Sequence, residues 1–255
     1  MLEMLKNRLR IMALLSLIIV IGVFLFMTPI PQDINYHNFA DGRTMFHVSN
    51  FWNVLSNLPF FMVGILGLYK LYTYRLILLN SMQLGYTLLF VGVSLVAFGS
   101  GYYHLEPNNE TLVWDRLPMT IAFMSLFAIL LSEFVEEKLG KQLLFPLLLV
   151  GLSSVFYWYW GEMHGEGDLR AYALVQFLPM LIIPVLLLTF KSYYSYIKGY
   201  WLLLLCYLLA KLFEHFDAEI YALLGQVISG HSLKHMVAAL GMYILLVSYE
   251  KRVIQ

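Results

Sequence analysis

His104, His231 and His235 each stand at the edge of a long apolar segment, and topology puts the three edges on one side of a membrane. A neutral imidazole is the commonest zinc ligand, and three protein ligands leave a fourth position for a water, as in catalytic rather than structural zinc sites. Ser100 and His104 are four residues apart in FGSGYYH, and His231 and His235 are four apart in GHSLKH. On a helix that spacing puts both members of a pair on one face, with Cβ atoms about 5–6 Å apart. Asp115 follows His104 by eleven residues, enough for a short turn back to the same depth. A lone histidine at a helix end can simply snorkel, and an Asp ahead of Pro118 can simply cap its helix. Two such pairs and an acid on one side of the membrane argue instead for a site, because ionisable groups in spanning segments are costly.

The elements that must hold these residues follow from composition. Of the 255 residues 60% are hydrophobic and only 13% charged, against about 25% charged in a soluble domain. A bilayer takes about 20 apolar residues to span. Such stretches lie at 11–29, 52–73, 83–104, 114–134, 142–160, 171–190, 199–215 and 231–249, which predicts eight helices. The first reads as an uncleaved helix, since Phe26-Met27-Thr28-Pro29 offers no small-residue cleavage site. Lys and Arg concentrate in cytoplasmic loops. With both termini inside, eleven of the sixteen do so, Lys6, Arg8 and Arg10 among them, leaving Arg43, Arg116, Arg170, Lys211 and Lys234 near the outer face.

A net charge of zero provides no basic face for nucleic acid. The single cysteine, Cys206, excludes an internal disulfide and reads as packing. Outer loop 30–51 is too polar to span and too well furnished to be a bare linker. Gly92, Ser94, Ala97, Gly99, Ser100 and Gly101 would let the third helix approach its neighbours closely. Prolines 118, 146, 179 and 184 lie inside apolar stretches, where each can kink a helix and free a carbonyl. Lys211 is expected to pair with Glu214, as structure or as a head-group site, and Asp168 with Arg170 to fix the loop holding Glu162 and His164 or to meet a polar head. Gln176 could bond a neighbouring helix. Trp158 and Trp160 fit an interfacial belt or the lining of a lipid entrance.

S-x-x-x-H, an Asp eleven residues on, and H-x-x-x-H opening the last helix together resemble the alkaline ceramidases, members of a superfamily of seven-helix membrane hydrolases that also holds progestin and adiponectin receptors. NFWNVLSN at 50–57 is similar to the segment that opens the first core helix of that family. The resemblance covers about residues 30–250. It implies an all-α membrane protein with a seven-helix core in residues 31–255 and an additional N-terminal helix within 1–30. It also implies that His104, His231 and His235 hold zinc, with Ser100 and Asp115 beside the water. Asp115 would then take the proton from that water and return it to the leaving nitrogen, and Ser100 would orient the water or donate to the developing oxyanion. In animal members an acid before F-W-N joins a calcium site. Here that place is Asn50, so although Asp33, Asn35, Asn38 and Asp41 could supply oxygens, the expectation is against calcium.

The expected activity is therefore hydrolysis of the N-acyl bond of a ceramide-type membrane lipid, giving a fatty acid and a sphingoid base. The alternative is a seven-helix lipid receptor with structural zinc. Motifs of zinc peptidases, serine hydrolases and phosphate-cradling loops are missing from the sequence. The charge pattern and short loops suit a bacterial inner membrane, with the site towards the periplasm.

Overall fold

The structure, a computed structural model, describes residues 2–255; Met1 lies outside the described residues, as do the side chains of residues 2–6, Lys6 among them. The chain is 76% helical without strands among the described residues, an all-α membrane fold. In chain order the helices are α1 (Leu2–Phe26), α2 (Phe51–Leu55), α3 (Leu58–Tyr72), α4 (Gln83–Leu105), α5 (Asn109–Phe134), α6 (Glu137–Met163), α7 (Arg170–Thr189), α8 (Lys198–His215), α9 (Asp217–Leu223) and α10 (Gly230–Lys251). Counting α2 with α3, seven spans are long and apolar enough to cross a membrane, and α8 with α9, bent by 82°, makes an eighth. These are the eight expected segments. The apolar stretch of α1 is unburied and packs chiefly on α7, so it is an addition to a core of seven.

Three boundaries differ from the apolar-window reading. α1 stops at Phe26 instead of 29. The first core helix is broken at Ser56 and Asn57, because Pro59 has no N–H to offer the Leu55 carbonyl. α5 begins at Asn109 instead of 114. Asn108 Oδ1 accepts the Thr111 N–H at 2.9 Å while Thr111 Oγ1 accepts the Asn108 N–H at 3.2 Å, a capping box. Asp115 thus lies in the second turn and does not cap the helix.

The close approach of α4 and α5 positions the site. Helices run through all four prolines. Pro118 deprives the Trp114 carbonyl of its helical donor, and Gly99 faces that carbonyl so closely that a Cβ there would collide with it. Ser100 and Asp115 are the next residue along on either helix.

The far end of the bundle holds a polar network the sequence reading missed. Arg252 Nη1 meets Glu133 Oε1 at 2.8 Å, both side chains being buried. Tyr200 donates to Glu133 Oε2 at 2.8 Å, and Tyr86 donates to Oε1. A buried carboxylate persists only with its lone pairs satisfied, and this one pins the C-terminus under α5.

Candidate metal centre

His104 comes from the last turn of α4, and His231 and His235 from the first turns of α10. The start of α10 is fixed by two caps. Ser229 Oγ accepts the Ser232 N–H at 3.2 Å, and Asp217 Oδ1, carried in by the bend between α8 and α9, accepts the His231 N–H at 2.6 Å. Gly230 is required there, since a Cβ would lie 2.9 Å from Asp217 Cα and collide with the Phe213 carbonyl.

The three buried imidazoles each offer a nitrogen within 4.8 Å of the others, and this is the one such group among the described residues. His104 Nε2 and His231 Nε2 are 3.4 Å apart. Zinc–nitrogen bonds of about 2.0–2.1 Å at a tetrahedral angle require an edge of about 3.3–3.4 Å, so the His104–His231 pair has a zinc-like spacing and the His235 nitrogen lies within 4.8 Å of both. Three neutral imidazoles facing one point can satisfy one another only in part by N–H···N contacts, and His104 Nδ1 is buried with no hydrogen-bond partner.

His235 has a partner that fixes its tautomer. Ser56 Oγ lies 2.8 Å from His235 Nδ1 and donates its hydrogen to the Asn53 carbonyl at 3.1 Å. With its only hydrogen so used, Ser56 accepts from Nδ1–H and leaves the Nε2 lone pair for a metal, the usual outer-shell arrangement. Asn53 Oδ1 in turn accepts from Ser232 Oγ at 2.8 Å. These partners lie in NFWNVLSN, where buried polar residues at helical spacing were the signal for them.

The loop 27–50 between α1 and α2 lies over the histidines, and Phe39 covers them with its ring 4.7 Å from His104 and 4.5 Å from His231. Asp217 Oδ2 holds the loop through the Ala40 N–H at 3.0 Å, and the Asn50 amide donates to the His104 carbonyl at 2.8 Å. Of the oxygens expected to be able to bind calcium, those of Asp41 grip Arg43 at 2.8 and 2.7 Å, and Asp33 Oδ1 accepts the Asn35 N–H at 2.9 Å.

Ser100 and Asp115 line one cavity with His235. The cavity, of about 310 Å³, is polar at this end and otherwise apolar, with Phe60, Val93, Leu126 and Met242 in its walls. The expected pairing of Lys211 with Glu214 is present at 2.6 Å, but Lys234 joins it on the other carboxylate oxygen at 2.5 Å. Burial, reinforced by Glu214, pushes the Tyr36 hydroxyl well above the usual phenol range, so it stays a donor to Glu214 at 3.5 Å.

A family model described as Ceramidase matches residues 43–253, which include the three histidines, Ser100 and Asp115. The chain belongs to the ceramidase family. Membership supports ceramide hydrolysis as the general activity, a hydrolase acting on amide bonds, and a lipid substrate met in the membrane. Among curated proteins none matches the chain. The ceramidase match leaves out α1 and residues 27–42 of the loop that follows it.

Other expected residues fall outside this centre. His164 is exposed, with Nδ1 2.7 Å from the Trp160 carbonyl. Asp168 grips Arg170 at 2.8 Å, and Arg170 continues to the Met27 carbonyl at 2.5 Å, tying α1 to the core. Burial opposes ionisation of Asp168, but hydrogen bonds from Arg170 and Tyr157 outweigh it and hold the carboxyl at about 2. Trp158 does not belong to an interfacial belt. It is fully buried, donates to Glu162 at 3.0 Å and faces Arg116, whereas Trp160 is exposed.

Proposed function

We propose that this protein is a zinc-dependent amidase within the membrane that cleaves the N-acyl bond of ceramide-type lipids, releasing a fatty acid and a sphingoid base. The observation that carries the reading is the buried histidine trio with a tetrahedral nitrogen edge, beside a cavity polar at the Asp115 end and apolar beyond. His104, His231 and His235 would hold the ion. Bound there, zinc would supply Lewis acidity towards the scissile carbonyl and the attacking water. Asp115 would take a proton from the water and deliver it to the leaving nitrogen, which an amide needs because its amine leaves poorly. Ser100, on the same cavity wall as Asp115, would orient the water or donate to the developing oxyanion. Phe39 and the outer loop would limit water at the centre, strengthening its electrostatics.

Residues 31–255 would form the catalytic unit, with the N-terminal helix as an accessory. Charge asymmetry supports cytoplasmic termini and a site facing the periplasm of a bacterial inner membrane. The test is incubation of the detergent-purified protein with a panel of N-acyl lipids. Fatty acid and amine should appear in equal amounts, stop on chelation and resume with added zinc. Turnover unchanged by exhaustive chelation would remove the metal from the reaction.

A further inference from the structure

Arg116 is the next residue after Asp115, lines the same cavity and is only 5% exposed. Its guanidinium is caged by aromatic rings, with Trp158 at 4.1 Å and Tyr172 at 4.7 Å from the carbon of the fork. Nη2 donates to Gln32 Oε1 at 2.6 Å, and Nη1 is buried without any partner. The cage is itself braced: Glu162 accepts from Trp158 Nε1 at 3.0 Å and from the Gln32 N–H at 2.6 Å. Ion pairs among the described residues hold Lys211, Lys234, Arg43 and Arg170 to acids, but not Arg116.

Aromatic faces stabilise a buried cation only in part. A guanidinium presents a planar fork that matches a carboxylate with two parallel hydrogen bonds. The charges at the polar end of the cavity point the same way, since the three cations Arg116, Lys211 and Lys234 face only the two carboxylates of Asp115 and Glu214, an excess of one positive charge. The oxygen of a neutral amide lipid can accept one hydrogen bond from Nη1 but brings no charge to match the guanidinium, as a carboxylate does.

We propose that Arg116, steadied by Gln32 and the Trp158–Tyr172 cage, is a subsite for a carboxylate on the lipid. The inference rests on the cavity being the lipid site proposed above. The carboxylate has two sources, the acid released by hydrolysis or an acid already on the amine half of the substrate, as in an N-acyl amino acid.

The experiment compares binding of matched ligands to detergent-purified full-length protein. Hexadecanoate is set against hexadecanamide, and N-hexadecanoylglycine against N-hexadecanoylethanolamine, with wild type, Arg116→Gln and Arg116→Lys. A charge-assisted pair in this setting predicts that wild type favours a carboxylate about 10- to 100-fold. Arg116→Gln brings the ratio to within about threefold, and Arg116→Lys, which keeps charge but loses the fork, falls between. Preference only for hexadecanoate assigns the product as source; preference for the glycine conjugate as well assigns the substrate. An equal ratio in wild type, as when water alone satisfies Nη1, overturns the proposal. So does a preference unchanged in Arg116→Gln, which the histidine site or the lysines would then supply. If Arg116→Gln does not fold, an unreduced preference in Arg116→Lys has the same force. Arg116-dependent binding with no amide turnover would sink the amidase reading and leave this one standing. Turnover without carboxylate preference would do the reverse.

Discussion

Replacing Ser56 with alanine should weaken the metal site while sparing the fold. Ser56 Oγ is the partner of His235 Nδ1 at 2.8 Å in a fully enclosed position. Alanine leaves that N–H buried and unsatisfied, at a cost of about 1–3 kcal/mol. The Asn53 carbonyl keeps its other donor, Asn57 Nδ2 at 2.8 Å, so the loss falls on His235. Paying that cost in the ordered ring favours the wrong tautomer or a turned imidazole, and either removes the Nε2 lone pair from the trio. At about 1.4 kcal/mol per factor of ten, zinc affinity should fall about 10- to 100-fold, the range seen when outer-shell partners of ligand histidines are removed. Competition with a chromophoric zinc chelator measures this directly. Ser56→Thr, which keeps the hydroxyl, should retain most of the affinity. An affinity in Ser56→Ala equal to wild type would refute the hydrogen-bond argument, and equal losses in the alanine and threonine variants would show packing to be the cause.

Other expectations concern neighbouring residues. Asp115→Asn should keep zinc but lower amide turnover by about 10²- to 10⁴-fold, the usual contribution of a positioned acid–base group; steady-state kinetics alongside metal analysis checks it. Gly99→Ala would put a Cβ 2.8 Å from the Trp114 carbonyl carbon, where carbon contacts want about 3.5–4.0 Å. α4 and α5 must then part by about 1 Å beside Ser100 and Asp115, a misplacement that can cost about 100-fold in kcat/KM. Asp168, held at about 2, is depressed below its unfolded value of about 3.9. Its contribution to stability is therefore complete above about pH 4 and lost as pH falls through about 2. The unfolding-temperature gap between wild type and Asp168→Asn should close over that interval, and a gap independent of pH would refute the clamp.

The spans were readable because apolar length is a local property, and the histidines because i,i+4 spacing and loop direction suffice to bring them to one depth. Asp115 was expected at a helix start but lies in the second turn, since an apolar window clips the polar first turn that Asn108 and Thr111 cap. Phe39, Asp217 and Arg116 were not assigned to the site, because their contacts cross more than a dozen residues of sequence and no local period marks them. Trp158 shows the same limit. A tryptophan near a helix end suits an interface equally well until the buried guanidinium that covers it is seen.

The central claim is that three histidines hold a catalytic zinc, and one comparison tests it most directly: metal content and ceramide hydrolysis measured together in purified wild type and His231→Ala. The account predicts one zinc per chain and amide turnover in wild type, with both lost in the variant. A variant that keeps zinc and hydrolysis, or a fully zinc-loaded wild type that cleaves no N-acyl lipid, would contradict it.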